Sequence, residues 1–382
     1  MYDVGVPATN PFRYGALALD EAFTDREAEL AELLADARNG QDVALFAPRR
    51  YGKSSLVWRA AQQLVRQRVL VAQIDLMTTP TRVKFAERLA KSIHDDLATP
   101  LFRAKERLRV FAGLRIAPVI SIDPEDGTPS FSFTAAVQRE DLDDTIERLL
   151  ELPGKLAAER DRRVVLILDE FQEVVDLDAA LPKLMRSVFQ RQPEVAHVYL
   201  GSRRHMMRRV FSDANEPFWR SAKQIELDVI APAAFRPYIE GRFAQTGKKI
   251  AAEGLDAVLG LTKGHPYGTQ ELCYFLWQET PAGRTATPAR VATALDGVLR
   301  SEHAHFSLTW SKAAGAQRAV LQALAREPGH VLGTAYRARH GLPAASSVQR
   351  ALDALERDEL VTRRGGHVAI SEPFLSEWLM RQ

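Results

Sequence analysis

Val43-Ala-Leu-Phe-Ala-Pro-Arg-Arg-Tyr-Gly-Lys-Ser-Ser-Leu-Val57 has the layout of a strand, a short loop and a helix. Val43 to Phe46 is an apolar run of buried-strand composition. The chain then turns through Ala47 to Gly52 and enters a helix at Lys53-Ser54-Ser55. A glycine at 52 lets the backbone approach an anion without an intervening Cβ. A helix start presents unpaired N–H groups and a partial positive charge, which suits a phosphate. Lys53 can reach β- and γ-phosphates, and the Ser54 hydroxyl can hold Mg²⁺. The pattern is that of G-x-x-x-x-G-K-[ST] except that Ala47 stands at the first glycine.

Val164-Val-Leu-Ile-Leu-Asp-Glu170 is the second strong signal. Five consecutive apolar residues predict a strand buried on both faces, as in a parallel sheet. Its end, Asp169-Glu170, falls at the carboxyl edge, where open α/β sheets place their ligands. Asp169 is expected in a Mg²⁺ shell, and Glu170 is expected to polarise an attacking water. Paired acids at a strand end also occur as a solvated turn. The next strand, His197-Val-Tyr-Leu-Gly201, leads into Ser202, Arg203 and Arg204, with Arg208, Arg209 and Arg220 further on. A basic surface helix accounts for most of these arginines. Arg203, directly after the strand end, ranks first as a γ-phosphate or neighbour-site contact.

Around these signals the chain divides by pattern. Residues 1–22 form an extended N-terminal segment, with Asn10-Pro11-Phe12 docking through Phe12. Residues 23–231 form the α/β core. Thr24 and Glu27 have capping-box spacing before a helix that ends near Gly40, which is compatible with a nucleotide contact in the same place. Alternation on either side of Asp126-Gly127 predicts a β-hairpin inserted at about 116–135. Residues 232–301 read as helices alone, a small lid interrupted by Gly264-His265-Pro266. Residues 311–382 read as three helices followed by a hairpin around Gly365-Gly366, a winged-helix domain.

These residues together resemble the archaeal-type P-loop ATPases of the STAND group, relatives of the AAA+ proteins, and the layout is similar to that of replication-origin initiators. The resemblance rests on Asn10-Pro-Phe12, Asp25-Arg-Glu27, Ala47 to Ser54, Leu168-Asp-Glu-Phe171, Gly201-Ser-Arg203 and Gly264-His-Pro266, in that order over roughly 10–275. It implies an α/β P-loop NTPase fold: a parallel sheet with the inserted hairpin, a helical lid and a C-terminal winged helix. It also implies ATP and Mg²⁺ as ligands. Arg26 and Glu27 would lie near the adenine. Pro48, Arg49, Arg50, Tyr51, Gly52, Lys53, Ser54 and Ser55 would wrap the phosphates. Asp169 and Glu170 would serve metal and water, Ser202 would act as the sensor, and His265 and Pro266 would couple the lid to nucleotide state.

Composition bounds the rest. The chain has 382 residues, 46% hydrophobic and 26% charged, with a net charge of +2. That is ordinary globular composition, and the charge alone points to no polyanion partner. The single cysteine, Cys273, excludes an internal disulfide and any cysteine-rich zinc site. No apolar run approaches membrane-spanning length, so a cytoplasmic protein without a membrane partner is expected. Residues 311–382 carry ten Lys+Arg against seven Asp+Glu, a difference of +3. Arg350, Arg363 and Arg364 are the candidate duplex contacts, led by the wing tip.

The expectation is a slow, Mg²⁺-dependent ATPase that switches conformation or assembly with its nucleotide. An ATP-gated DNA-binding regulator and a scaffold with permanently bound nucleotide are the alternatives. A protein partner and nucleotide-dependent self-assembly both stay open.

Overall fold

The computed structural model describes residues 9–18, 23–97, 114, 118–122, 129–133 and 139–382. The chain packs as two compact units. One comprises Arg26–Ala47 and Leu56–Leu227; the other comprises Met1–Asp25, Pro48–Ser55 and Asp228–Gln382.

The first unit is built on a five-stranded parallel sheet. Its strands are β1 (Val43–Phe46), β2 (Leu70–Asp75), β5 (Val164–Asp169), β6 (Val195–Gly201) and β7 (Lys223–Glu226), in the order β2-β5-β6-β1-β7. The inserted hairpin pairs β3 (Val119–Ile122) with β4 (Pro129–Ser132) in antiparallel register; its expected turn, Asp126-Gly127, lies outside the described residues. β1 and β6 are buried along their whole length, and β5 is buried up to Asp169. Such strands need helices on both faces to cover them. Phe171, Tyr199, Phe211 and Phe218 form an aromatic cluster below the acid end of β5, with centroids 4.6–5.8 Å apart.

Two local expectations are corrected here. The helix Glu27–Asn39 is not opened by a Thr24–Glu27 capping box. Asp25 and Arg26 are both left-handed, at φ 58° and 81°, and the Arg26 carbonyl takes the first helical bond from Leu30 at 2.8 Å. The cap therefore falls at Arg26, two residues past the threonine, and the helix starts at Glu27 with no side-chain cap bond. Gln224 to Ile230 reads by composition as the last strand of the sheet, but that strand ends at Glu226. Leu227 still donates to Phe46, but Ile230 pairs instead with Gly264 in the other unit's own fold.

The second unit holds helices Pro232–Gln245, Ala252–Thr262, Pro266–Glu279 and Pro288–Lys312. It is not helical alone: β8 (Lys249–Ile250) and β9 (Thr285–Ala286) make a short parallel pair. Phe12, 1% exposed, packs on Tyr238 and Phe243 of the first helix. Asn10 supports it by donating to the Tyr274 carbonyl at 3.0 Å while accepting from the Phe12 N–H at 3.1 Å. The last of these helices runs on to Lys312 and leads into the winged helix. That module consists of helices Gly315–Arg326, Thr334–His340 and Ala345–Arg357 and the hairpin of β10 (Val361–Arg364) and β11 (His367–Ile370), with a final helix Pro373–Met380. Gly365 and Gly366 turn the hairpin at φ 53° and 82°. One apolar cluster runs from Phe12 through the four helices to Trp378 and Leu379.

Gly264 is the tightest joint of this unit. Its φ is 75°, and a Cβ there would sit 2.1 Å from the Ile230 carbonyl oxygen. A Gly264→Ala chain should lose about 3 kcal/mol, from the strained φ and forced backbone displacement together. Gly260→Ala, on an open helical site with nothing within 4 Å of the new Cβ, should be neutral or stabilising by up to ~1 kcal/mol. Denaturant unfolding of the two variants checks this, and equal midpoints would refute it.

Candidate functional site

The carboxyl edge of the sheet is set by register. Phe46 on β1 pairs with Gly201 on β6, and Leu168 on β5 pairs with Tyr199. β6 therefore lies between the strand that feeds the loop and the strand that carries the acids. The ends of β1 and β5 are held about 10 Å apart, two strand spacings. Ala47 continues the alignment by donating to the Gly201 carbonyl at 3.3 Å.

At the end of β5, Glu170 is left-handed, at φ 51°. Its N–H donates to Asp169 Oδ1 at 2.9 Å, and the Phe171 N–H donates to the Leu200 carbonyl at 2.7 Å. The Glu170 side chain turns toward β6. Oε2 accepts from the Ser202 hydroxyl at 2.8 Å, from the Ser202 N–H at 3.1 Å and from Gln172 Nε2 at 2.5 Å. Ser202 and Gln172 are fully buried. The two strand ends are thus joined through one carboxylate oxygen. Gln172 escapes a sequence reading because a glutamine two residues past the strand-end acid Glu170 carries no signal. Gly201 makes room for it: a Cβ there would lie 2.7 Å from Gln172 Oε1 and 2.3 Å from Met207 Cγ.

The five candidate arginines all have partners within this unit. Arg203 lies 3.2 Å from Glu173 and 3.5 Å from Asp176. Arg204 and Arg208 share Glu226, Arg209 pairs with Glu216, and Arg220 lies over the Trp219 ring. Arg26 is 6% exposed and pairs with Glu29 at 2.8 Å, whereas Glu27 is exposed.

The loop Pro48–Ser55 belongs to the second unit. Arg50 and Gly52 are left-handed, at φ 67° and 88°. Nothing lies within 4 Å of a Cβ at Gly52, so the backbone angle rather than crowding calls for glycine. The helix Lys53–Arg66 has no acid in its first turn, which leaves its positive end uncompensated. Lys53 and Ser55 are each 7% exposed, and Ser55 Oγ accepts from the Ala18 N–H at 3.0 Å. Tyr51 meets His265 edge to face, centroids 4.9 Å apart. Arg49 and Arg50 take acids of the C-terminal region: Arg49–Glu359 at 3.4 Å and Arg50–Glu372 at 2.9 Å. Neither glutamate carries a motif signal.

His265 caps the helix Pro266–Glu279. Its Nδ1 accepts from the Gly268 N–H at 3.1 Å, with Pro266 at the first helical position. In the winged helix, Arg350 is exposed on helix Ala345–Arg357. Arg363 lies 3.5 Å from Asp353 and 3.6 Å from Glu356. The Arg364 side chain lies outside the described residues. The exposed face expected to approach a duplex therefore neutralises the one wing arginine whose side chain is described.

Burial, with the Arg50 charge close by, lowers the His265 pKa to about 4. The folded chain thus prefers the neutral ring, whose Nδ1 lone pair the cap requires. Its contribution to stability is complete above the unfolded value of 6.5 and is lost as pH falls toward 4. The size is on the order of 3 kcal/mol. His265→Asn keeps an N-cap acceptor without titrating. Urea midpoints measured at pH 7.5 and 4.5 should converge less in the wild type than in this variant, the wild type losing the larger increment. Equal losses would refute the assignment.

A family model described as "ATPase domain predominantly from Archaea" matches residues 23–272. A second, described as "Probable winged helix domain", matches residues 304–381. Among solved structures, the chain is similar to the Walker-type ATPase PABY2304 of Pyrococcus abyssi, at 15% identity and TM-score 0.66, over 97% of this chain and 99% of that one. It is also similar to the ORC2 protein of Aeropyrum pernix in its ADPNP–ADP complexes, at 12% identity and TM-score 0.54, over 97% of this chain and 96% of that one. At these identities the likeness is one of fold. No curated protein matches the chain. Among the described residues, no helix is long and apolar enough to cross a membrane.

Proposed function

Because the chain belongs to the family of ATPase domains found predominantly in Archaea, we propose that it binds ATP with Mg²⁺, hydrolyses it slowly and changes conformation or assembly with the nucleotide. The observation that carries this is the parallel register, which ends β1, β5 and β6 on one sheet edge with Ala47, Asp169 and Ser202 at their tips.

The residues suit the ligand. The left-handed turns at Arg50 and Gly52 and the acid-free start of helix Lys53–Arg66 fit an anion. Lys53 would neutralise β- and γ-phosphate oxygens. Ser54 and Asp169 are hard oxygen donors of the kind Mg²⁺ takes. When bound, Mg²⁺ offsets charge on the phosphate oxygens.

Glu170 would take the proton of, or orient, the attacking water. Its Oε2 is held by Ser202 and Gln172, so the hydroxyl that would sense a γ-phosphate also restrains the base. A γ-phosphate that drew the Ser202 hydroxyl toward itself would loosen that restraint. Hydrolysis gated in this way is slow, as a switch requires. Arg26 and Glu27 at the base, Ser55 at the phosphates, and His265 with Pro266 as the lid coupling complete the proposed set. Arg203, paired with Glu173 and Asp176, would have to exchange these acids for phosphate. Duplex binding through Arg350, Arg363 and Arg364 has less support, because Arg363 is already paired with two acids.

Lys53→Ala should abolish turnover and most ATP affinity in an equilibrium nucleotide titration; wild-type affinity in that variant would sink the proposal. Glu170→Gln should retain ATP binding and lower turnover at least ~10²-fold. Adding Ser202→Ala to Glu170→Gln should cost little more, because the two side chains act as one unit. Fully multiplicative losses in steady-state phosphate release would separate their roles.

A further inference from the structure

Glu271, on helix Pro266–Glu279, is fully buried, and no N–H or O–H group of the described residues donates to either of its oxygens. The proposed hydrolysis makes no use of it. Phe275 meets the next helix at Gly297, where a Cβ would stand 2.8 Å from the ring. About one turn from that contact on each helix, the Glu271 carboxyl meets that of Glu302, which is half-buried. Residues 267, 271 and 274 share one face of their helix. Tyr14 covers that face, its ring centroid 5.8 Å from Tyr267 and 5.2 Å from Tyr274. Glu271 therefore lies beneath the N-terminal segment, shut off from solvent.

Arg50 bounds the same cluster from the loop. Its guanidinium sits 4.3 Å above the Tyr267 ring, and its Nη1 lies 2.9 Å from Glu372 Oε1. All of these residues belong to the second unit. Glu271, Glu302 and Glu372 thus face a single guanidinium. With every acid ionised, two negative charges would stand unbalanced around a group that water does not reach, which is costly. A proton on the buried acid removes one of them and gives its oxygens a donor. Glu302, nearer solvent, keeps its charge and accepts that proton's hydrogen bond.

The neighbouring groups agree with this assignment. Burial, with Glu302 and Glu372 alongside, pushes the Glu271 carboxyl up to about 8, while Arg50 opposes the rise. Burial holds the Tyr14 and Tyr267 phenols above their ordinary range, so both stay neutral as Glu271 titrates. His305 stands beside Glu372 and favours its charged form.

Arg50 stands three residues before Lys53. We propose that Glu271 and Glu302 share one proton at neutral pH, and that this pair makes nucleotide affinity depend on pH by setting the negative charge that Arg50 faces. This rests on the reading of Pro48–Ser55 as the phosphate loop. A phosphate bound there offsets the pull of Arg50 on Glu271 and favours the protonated acid. By reciprocity, loss of the proton weakens the hold on the phosphate. Neither event requires an element to move.

Two measurements on the full chain test this. In infrared spectra at pH 7 the wild type should show a carboxylic acid C=O band that Glu271→Gln lacks. The band should titrate away near pH 8, and at lower pH in Glu302→Gln, a change at the less buried position that keeps the test open should Glu271→Gln fold poorly. Calorimetric binding of a non-hydrolysable ATP analogue with Mg²⁺ at pH 8, in two buffers of different ionisation heat, counts the protons taken up. The wild type should take up about a quarter of a proton more than Glu271→Gln, and its affinity should fall about 3-fold more than the variant's between pH 7 and 9.5. Absence of the band overturns the shared proton. Equal proton uptake in the two chains overturns the coupling to nucleotide. Binding retained in Lys53→Ala overturns the loop reading, and the coupling with it, whereas the band does not depend on that reading.

Discussion

The insertion of β6 between β1 and β5 is the constraint on which the sheet's chemistry depends. Parallel pairing fixes the direction of all three strands, so their carboxyl ends must share one edge. One strand supplies the loop, one the acids and one the buried serine. A strand between the first two keeps them about 10 Å apart, two strand spacings. It also puts Ser202 within hydrogen-bond reach of Glu170, thirty-two residues away in sequence. The burial of β1, β5 and β6 makes this register hard to shift, because any slip would expose apolar side chains and strand buried backbone groups.

Among the described residues, the arginines near the sheet edge and in the loop are committed to acids. Arg203, Arg204, Arg208 and Arg209 all pair with acids on their own unit, and Arg49 and Arg50 pair with Glu359 and Glu372 on theirs. Exposed pairs of this kind add little stability. Under the proposed function, a phosphate would have to compete with a carboxylate already in place. The same holds at the wing, where Arg363 faces Asp353 and Glu356. A winged-helix fold therefore does not by itself amount to a phosphate-binding surface.

The second unit shows how a single apolar cluster can join segments that differ in composition. Phe12 from the N-terminal segment, the helices from Pro232 onward and the winged-helix residues through Leu379 share one core. The helix Pro288–Lys312 supplies continuity, since it carries its buried face across the interval where composition changes. Gly264 fixes the turn between two of the helices by meeting the Ile230 carbonyl, and His265 immediately after it caps the next helix as a neutral ring.

Much of the architecture was legible in short stretches of the chain. The apolar runs at Val43 to Phe46 and Val164 to Leu168, the Gly-Lys-Ser helix start, the Gly264-His-Pro turn and the Gly365-Gly366 hairpin are local signals. Each depends on periodicity, or on a backbone angle that few residue types accept. The strand order and the winged helix are in keeping with them. The capping of helix Glu27–Asn39 was misread because two consecutive left-handed residues moved its start, and no side-chain spacing reports a φ angle. The partners of the charged residues were not legible at all. Glu170 with Ser202, Arg363 with Asp353, and Arg50 with Glu372, 322 residues apart, are brought together only when elements dock. Sequence alone determined the main strands and helices and which residue types reach the sheet edge, because those follow from local sterics and alternation of burial; the two-residue strands β8 and β9 and the last helix, Pro373–Met380, were outside its reach. The tertiary structure decided which charge each of those residues meets, because a long, flexible charged side chain takes whatever partner packing brings within its reach.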